Sequence, residues 1–98
     1  MIARTWRGWT RSNDVQGFRT YVTDTWIKDC KASDGNAGAF LFSRIVGDRA
    51  EVITLSLWVS QEALNRFHAG DVMAPHYYPE DARYIIEGDA QVVHYDAD

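Results

Sequence analysis

The stretch LSLWVSQEAL, Leu55 to Leu64, decides the fold because its periodicity changes in the middle. Up to Trp58 the side chains alternate as in a β-strand, so Leu55 and Ser56 face opposite sides of a sheet. Ser60 is then a good helix N-cap residue. The apolar residues that follow are spaced as on the buried face of a helix: Ala63, Leu64 and Phe67. We therefore expect a strand over 51–58 that leads directly into a helix ending at Gly70.

The residues before this stretch predict a hairpin. Ala39 to Val46 is rich in β-favouring side chains, and Gly47-Asp48-Arg49 supplies a short turn. The strand over 51–58 carries few charges on either side, since Ile53, Leu55 and Leu57 alternate with Thr54, Ser56 and Trp58. We therefore expect both faces of this sheet to be covered.

The first third of the chain predicts a strand followed by a long helix. Met1 to Trp9 has β-favouring residues with partial alternation, and Ser12 or Asn13 can cap the helix that follows. An apolar stripe then recurs at three- and four-residue spacing: Val15, Phe18, Val22, Trp26 and Cys30. This stripe is the expected contact of the first helix with the sheet.

The end of the chain predicts a loop and a last strand. Pro75 to Asp81 is aromatic and bounded by prolines, so it cannot be regular helix throughout. Tyr84 to Asp96 is extended, with an expected break at Gly88-Asp89. The element order is then β-α-β-β-α-β, which predicts an α+β, ferredoxin-like fold with a four-stranded antiparallel sheet and both helices on one face.

This arrangement predicts a homodimer. A chain of 98 residues forms one domain, here residues 1–98, with a thin core. Nothing else in the chain can cover the second face of the sheet, and 13% of the residues are aromatic. Pairing with a second copy would bury that face.

The net charge and the cysteine content exclude some binding partners and some cellular settings. The net charge of −4 argues against nucleic acid. We interpret Arg4, Arg7 and Arg11 as outward-facing strand positions. Cys30 is the single cysteine, and no segment is apolar enough for a signal peptide or membrane span. We therefore expect a cytoplasmic protein without disulfides and without contact to a membrane.

Several segments resemble the antibiotic biosynthesis monooxygenase family, within the dimeric α+β barrel superfamily. The resemblance covers nearly the whole chain and is densest over Leu55 to Leu64. It is also carried by four further segments: Met1 to Gly8, Gly35 to Gly38, Tyr77 to Asp81 and Val93 to Tyr95. The resemblance implies a single domain that pairs as a dimeric α+β barrel.

The resemblance also implies a function: a cofactor-independent monooxygenase that acts on a small aromatic, quinol-like substrate without flavin, haem or metal. The haem-degrading members of the family have an Asn on the first strand, a Trp on the second long helix and an axial His. Here Thr5-Trp6-Arg7 has no Asn, Phe67 stands nearest the Trp position, and His76 is displaced by one residue. Haem degradation is therefore the less favoured function.

His76 and Tyr77 are the candidate catalytic residues, because both can transfer or donate a proton and both lie on the crossing to the last strand. The alternative for each is a local structural role in the loop. Five residues are candidates for substrate binding: Trp6, Trp26, Arg19, Phe67 and Tyr78. Core packing is the alternative for Trp6, Trp26 and Phe67. Pinning of the loop is the alternative for Tyr78, and an escape to solvent is the alternative for Arg19. His68 and His94 are expected to pack, and no spacing indicates a metal site.

Two hypotheses about function remain open from the sequence. One is the monooxygenase, and the other is a non-catalytic dimeric protein that binds a small hydrophobic ligand or serves as an accessory protein. A polar group deep in an otherwise apolar pocket would favour the enzyme. A pocket filled by Trp and Phe side chains would favour the non-catalytic protein.

Overall fold

The computed structural model of the protein describes residues 1–68 and 70–98. Its strands and helices, in chain order, are β1 (Ile2–Arg11), α1 (Val15–Val22), α2 (Lys28–Lys31), β2 (Asn36–Val46), β3 (Arg49–Trp58), α3 (Gln61–Phe67), β4 (Ile85–Gly88) and β5 (Val93–Asp96). A π-helical turn, Thr23–Ile27, joins α1 to α2 without a break in the helical backbone. The predicted order and the α+β fold are confirmed.

The sheet is antiparallel, with the order β2-β3-β1-β4, and β5 also pairs with β1. β4 and β5 lie end to end along one edge of β1, since Gly88 pairs with Gly8 and His94 pairs with Arg4. The predicted last strand is thus two strands along one edge, and five strands occupy four positions. The ladder is interrupted after Gly88, at the position that the sequence indicated.

Strand register assigns each side chain to one of two faces. We call the side that carries Arg4, Trp6, Ser56 and Trp58 the helix face, because these residues are buried beneath the helices. Leu55 alternates with these residues along β3 and points to the other side, which we call the open face. The predicted alternation along β3 is therefore confirmed.

The helix face is packed by the apolar stripe of the first helix. Phe18, Val22, Trp26 and Cys30 are all buried, as the spacing predicted. α3 contributes Leu64, which is completely buried. Ser60 caps α3, because its side chain accepts a hydrogen bond from the backbone N–H of Ala63 at 3.2 Å.

The open face carries large apolar side chains in contact with solvent. Phe40, Phe42 and Tyr95 are 45%, 51% and 57% exposed, respectively. The rings of Phe40 and Phe42 stack on each other, with centroids 6.3 Å apart. In the part of the chain that the structure describes, no helix is long and apolar enough to span a membrane.

A pocket of aromatic walls and buried polar groups

A pocket lies between the helix face and the first helix; its interior volume is about 40 Å³, and the empty space reaches about 490 Å³ only when the solvent at its open mouth is counted. Its walls are mainly apolar side chains: Trp6, Phe18, Val22, Trp26, Ile85 and Val92. Its polar residues are Arg4, Thr5, Thr54, His68, His76, Tyr77 and Asp81. A mostly apolar cavity with a few polar groups is the usual form of a small-molecule site.

Trp6 owes its position to two facing glycines. A Cβ atom on Gly8 or on Gly88 would lie only 2.3 or 2.4 Å from the indole ring of Trp6, so neither position has room for a larger residue. The indole Nε1 donates a hydrogen bond to the carbonyl oxygen of Asp89 at 2.8 Å. The break after Gly88 therefore holds one aromatic wall of the pocket in place.

Trp26 reaches the pocket from the π-helical turn Thr23–Ile27. Such turns occur frequently at functional sites, because the extra residue redirects the side chains that follow. The hydroxyl of Thr25 donates to the carbonyl of Tyr21 at 2.7 Å and so satisfies an acceptor within the irregular stretch. Trp26 itself is only 8% exposed.

His76 and Tyr77 lie at the mouth, where both are exposed. The Tyr77 ring meets Trp6 edge-on, with centroids 5.8 Å apart. Burial, with the nearby charge of Arg4, lowers the pKa of His76 below its ordinary value, so the imidazole is neutral at neutral pH. Burial raises the pKa of Tyr77, which keeps its hydroxyl protonated.

Arg4 is buried, and its interpretation as an outward-facing residue was wrong. It shares the helix face with Trp6, two positions along β1, and it is only 4% exposed. Its guanidinium donates to the carbonyl oxygens of Val72 and Ala74, the latter at 2.8 Å, and contacts Nε2 of His94 at 3.2 Å. Burial lowers the pKa of Arg4 to about 10, so it stays mostly charged at neutral pH.

His68 is the second buried polar group in the pocket, and its role was not foreseen beyond packing. It is 4% exposed and stacks on Phe67, with centroids 4.7 Å apart. Its Nε2 atom is buried without a hydrogen-bond partner among the described residues. Burial, followed by the charge of Arg4, lowers the pKa of His68 to about 3. The imidazole is therefore neutral over the physiological range.

Three of the predicted substrate-binding residues are not part of the pocket lining. Arg19 instead donates from Nη1 to Oγ of Ser43 at 2.8 Å, in an exposed contact between α1 and β2. Phe67 packs edge-on against His76, with ring centroids 5.4 Å apart, and so contacts a pocket residue without lining the pocket itself. The Tyr78 hydroxyl donates to Asp29 on α2.

Tyr78 therefore fastens the loop, which was the structural alternative for this residue. Its backbone N–H also donates to Oδ2 of Asp81 at 2.7 Å, and Asp81 is 8% exposed. Burial raises the pKa of Asp81. Of residues 1–68 and 70–98, no three His, Cys, Asp or Glu side chains form a group that could hold a metal ion.

Neither a family model nor a curated protein matches this chain. Fourteen chains of solved structures match it, and two of them resemble it over nearly its full length. A Bacillus cereus protein provisionally assigned as an antibiotic biosynthesis monooxygenase superposes with a TM-score of 0.68 at 16% identity, covering 99% of this chain and 94% of that one. SnoaB, a cofactor-independent oxygenase from Streptomyces nogalater, gives 0.64 at 14% identity, covering 99% and 93%. At these identities the likeness establishes the fold, which is that of the antibiotic biosynthesis monooxygenases.

Proposed function

We propose that this protein is a cofactor-independent monooxygenase that acts on a small aromatic, quinol-like substrate. The observation that carries the proposal is the pocket on the helix face. Its walls are aromatic, yet Arg4 and His68 are buried in it and His76 stands at its mouth. A polar group deep in an apolar pocket is the feature that favours an enzyme over a non-catalytic binding protein.

The chemistry balances without an external reductant. When a naphthol-type ring loses the hydroxyl proton, the electron-rich anion can pass electrons to dioxygen. The hydroxyl and the C–H opposite it then become the two carbonyls of a quinone. One oxygen atom of O₂ stays in the product, and the other leaves as water with the two substrate hydrogens. The protein has to bind the ring, remove a proton and exclude bulk water.

The protonation states of His76 and Tyr77 indicate the roles of these two side chains. His76 is neutral at neutral pH and can accept the substrate proton at the mouth of the pocket. Tyr77 keeps its proton and can donate a hydrogen bond to a substrate oxygen. Trp6 and Trp26 flank the site as the flat surfaces on which an aromatic ring can stack.

The proposal includes a homodimer in a reducing cytoplasmic setting. The exposed apolar side chains of the open face support self-pairing, because a second copy would remove them from water. The fully buried Cys30, whose thiol pKa is raised to about 12 by burial, suits a reduced and unreactive thiol. The name of SnoaB, a cofactor-independent oxygenase, supports the reaction class.

The test is oxygen uptake by protein freed of metal by a chelator and checked for the absence of flavin and haem absorption. Naphthols with an unsubstituted ring position opposite the hydroxyl are offered with isotope-labelled dioxygen. We expect stoichiometric O₂ consumption and one labelled oxygen atom in each quinone. We expect His76→Ala to lower kcat/KM about 10²-fold, since general base catalysis contributes about that much. Tyr77→Phe should cost less.

Arg19→Met is the matched control, because Arg19 lies outside the pocket lining and should leave turnover unchanged. Binding of these compounds without any oxygen uptake would instead identify the protein as a non-catalytic ligand-binding module. Full turnover by both His76→Ala and Tyr77→Phe would remove these two residues from the mechanism.

A further inference from the structure

We propose that Arg4 and His68 form an anion-binding subsite in the buried part of the pocket, which takes an ionised oxygen of an aromatic ligand, as in a phenolate or a carboxylate. The inference deepens the proposed function, on which it rests for the aromatic nature of the ligand. It names the part of the ligand that points inward.

Arg4 places a buried positive charge in the pocket. Its guanidinium is 4% exposed and lines the pocket, and its acceptors are all neutral: two carbonyl oxygens and an imidazole nitrogen. In residues 1–68 and 70–98, no carboxylate lies within ion-pairing distance of it. Asp71 is close enough only to favour the charged form through space. A buried cation without a counter-ion is costly, so a ligand anion would stabilise it.

Arg4 has more N–H donors than its contacts use. A guanidinium has five N–H groups, and the contacts with Val72, Ala74 and His94 occupy three of them. The remaining two have no acceptor among the described residues. A planar guanidinium matches the geometry of a carboxylate or phenolate oxygen well. The two N–H groups that these contacts leave over can therefore donate to a ligand oxygen.

His68, in the same pocket, has a buried nitrogen that pairs with none of the described residues, and this is independent of the charge of Arg4. Its imidazole is 4% exposed and its buried Nε2 has no hydrogen-bond partner in the described chain. Buried polar nitrogens are nearly always paired in folded proteins. As a neutral imidazole with its proton on Nε2, His68 would donate a hydrogen bond to the same ligand oxygen. The pocket would then offer both a charge and a directed donor.

The test measures binding of unreactive probes, so it is independent of turnover. Calorimetry compares naphthoate with its neutral, similarly shaped counterpart naphthalenemethanol in the unaltered protein. We expect naphthoate to bind about 10- to 100-fold more tightly, the usual worth of hydrogen bonds to a charged group. We also expect para-nitrophenol, which turns yellow on ionisation, to bind as its anion and to ionise at lower pH when bound.

Arg4→Met should remove this preference, and His68→Phe should reduce it. Arg7→Met is the matched control on the same strand, because Arg7 is exposed and points to the open face. Equal affinity for naphthoate and naphthalenemethanol, or binding of neither, would overturn the proposal even if Arg4→Met does not fold. Anion binding without oxygen uptake would keep this subsite and refute only the monooxygenase.

Discussion

The two faces of the sheet differ in how far their apolar side chains are buried. On the helix face, fully buried and mostly small side chains such as Ala50, Val52 and Ser56 let the helices approach closely. A pocket remains where Trp6 and Trp26 meet the buried polar groups. The open face has large apolar rings instead, and Phe42 is half exposed. The chain thus covers one face by itself, and the other is the face that the proposed dimer would bury.

The largest expected effect comes from placing a charge on the open face. Phe42→Glu should break the proposed dimer, because an unpaired charge buried in an interface costs about 3–5 kcal/mol, or roughly 10²- to 10³-fold or more in dissociation constant. Sedimentation at micromolar concentration should show the dimer of the 11.2 kDa chain in the unaltered protein and the monomer in the variant.

Ile45→Glu is the control for this variant. Ile45 lies on the same strand and is 59% exposed, slightly more than Phe42, but it pairs with Ala50 and so points to the helix side. It should leave the dimer intact. If the unaltered protein sediments as a folded monomer, the proposal that a second copy covers the open face is wrong.

A smaller effect is expected from acid, which should act on the helix face. The pKa of His68 falls from 6.5 to about 3 on folding. Below pH 6.5 the unfolded chain therefore binds a proton that the folded chain excludes. The free energy of unfolding should fall by up to about 1.4 kcal/mol per pH unit, or about 2 kcal/mol by pH 5. His76 and His94 act in the same direction, since burial lowers both pKa values.

Urea unfolding at fixed protein concentration, between pH 7 and pH 5, measures this slope. Asp81 acts in the opposite direction, because its raised pKa favours proton uptake by the folded chain. This uptake takes place in stronger acid, nearer the ordinary pKa of a carboxyl group. His68→Phe should flatten the slope while keeping the ring that stacks on Phe67. An unchanged slope in His68→Phe would show that His68 is not the group responsible.

Much of this fold could be predicted from periodicity. The alternation along β3, the Ser60 cap and the stripe from Phe18 to Cys30 reflect local rules that a sequence displays directly. The break at Gly88-Asp89 could also be predicted from residue type. The contact of Gly8 and Gly88 with the Trp6 ring could not be predicted, because it depends on the pairing of strands that lie 80 residues apart along the chain.

The site was harder to predict than the fold, for a physical reason. Arg4 shares a strand face with Trp6, so alternation alone could have placed it in the pocket, but a basic residue is normally expected in solvent. His68 follows Leu64 by four residues, which indicates burial and says nothing about an unpaired nitrogen. Two candidates outside the pocket lining, Arg19 and Tyr78, have polar partners on other elements that no local pattern reveals.

The most direct test of the central claim, that the helix-face pocket is the ligand site, uses the four tryptophans as reporters. Trp6 and Trp26 line the pocket. Trp58 is fully buried and donates to Ser56 at 2.9 Å. Trp9 lies on the open face beneath the guanidinium of Arg49, 4.8 Å from its ring centroid.

The indole N–H signals of isotope-labelled protein can be assigned by replacing each Trp with Phe and then followed by NMR while naphthoate is added. From this claim we expect the signals of Trp6 and Trp26 to shift together and saturate, while those of Trp9 and Trp58 stay in place. A shift confined to Trp9, or no shift at Trp6 and Trp26 at saturating ligand, would contradict it.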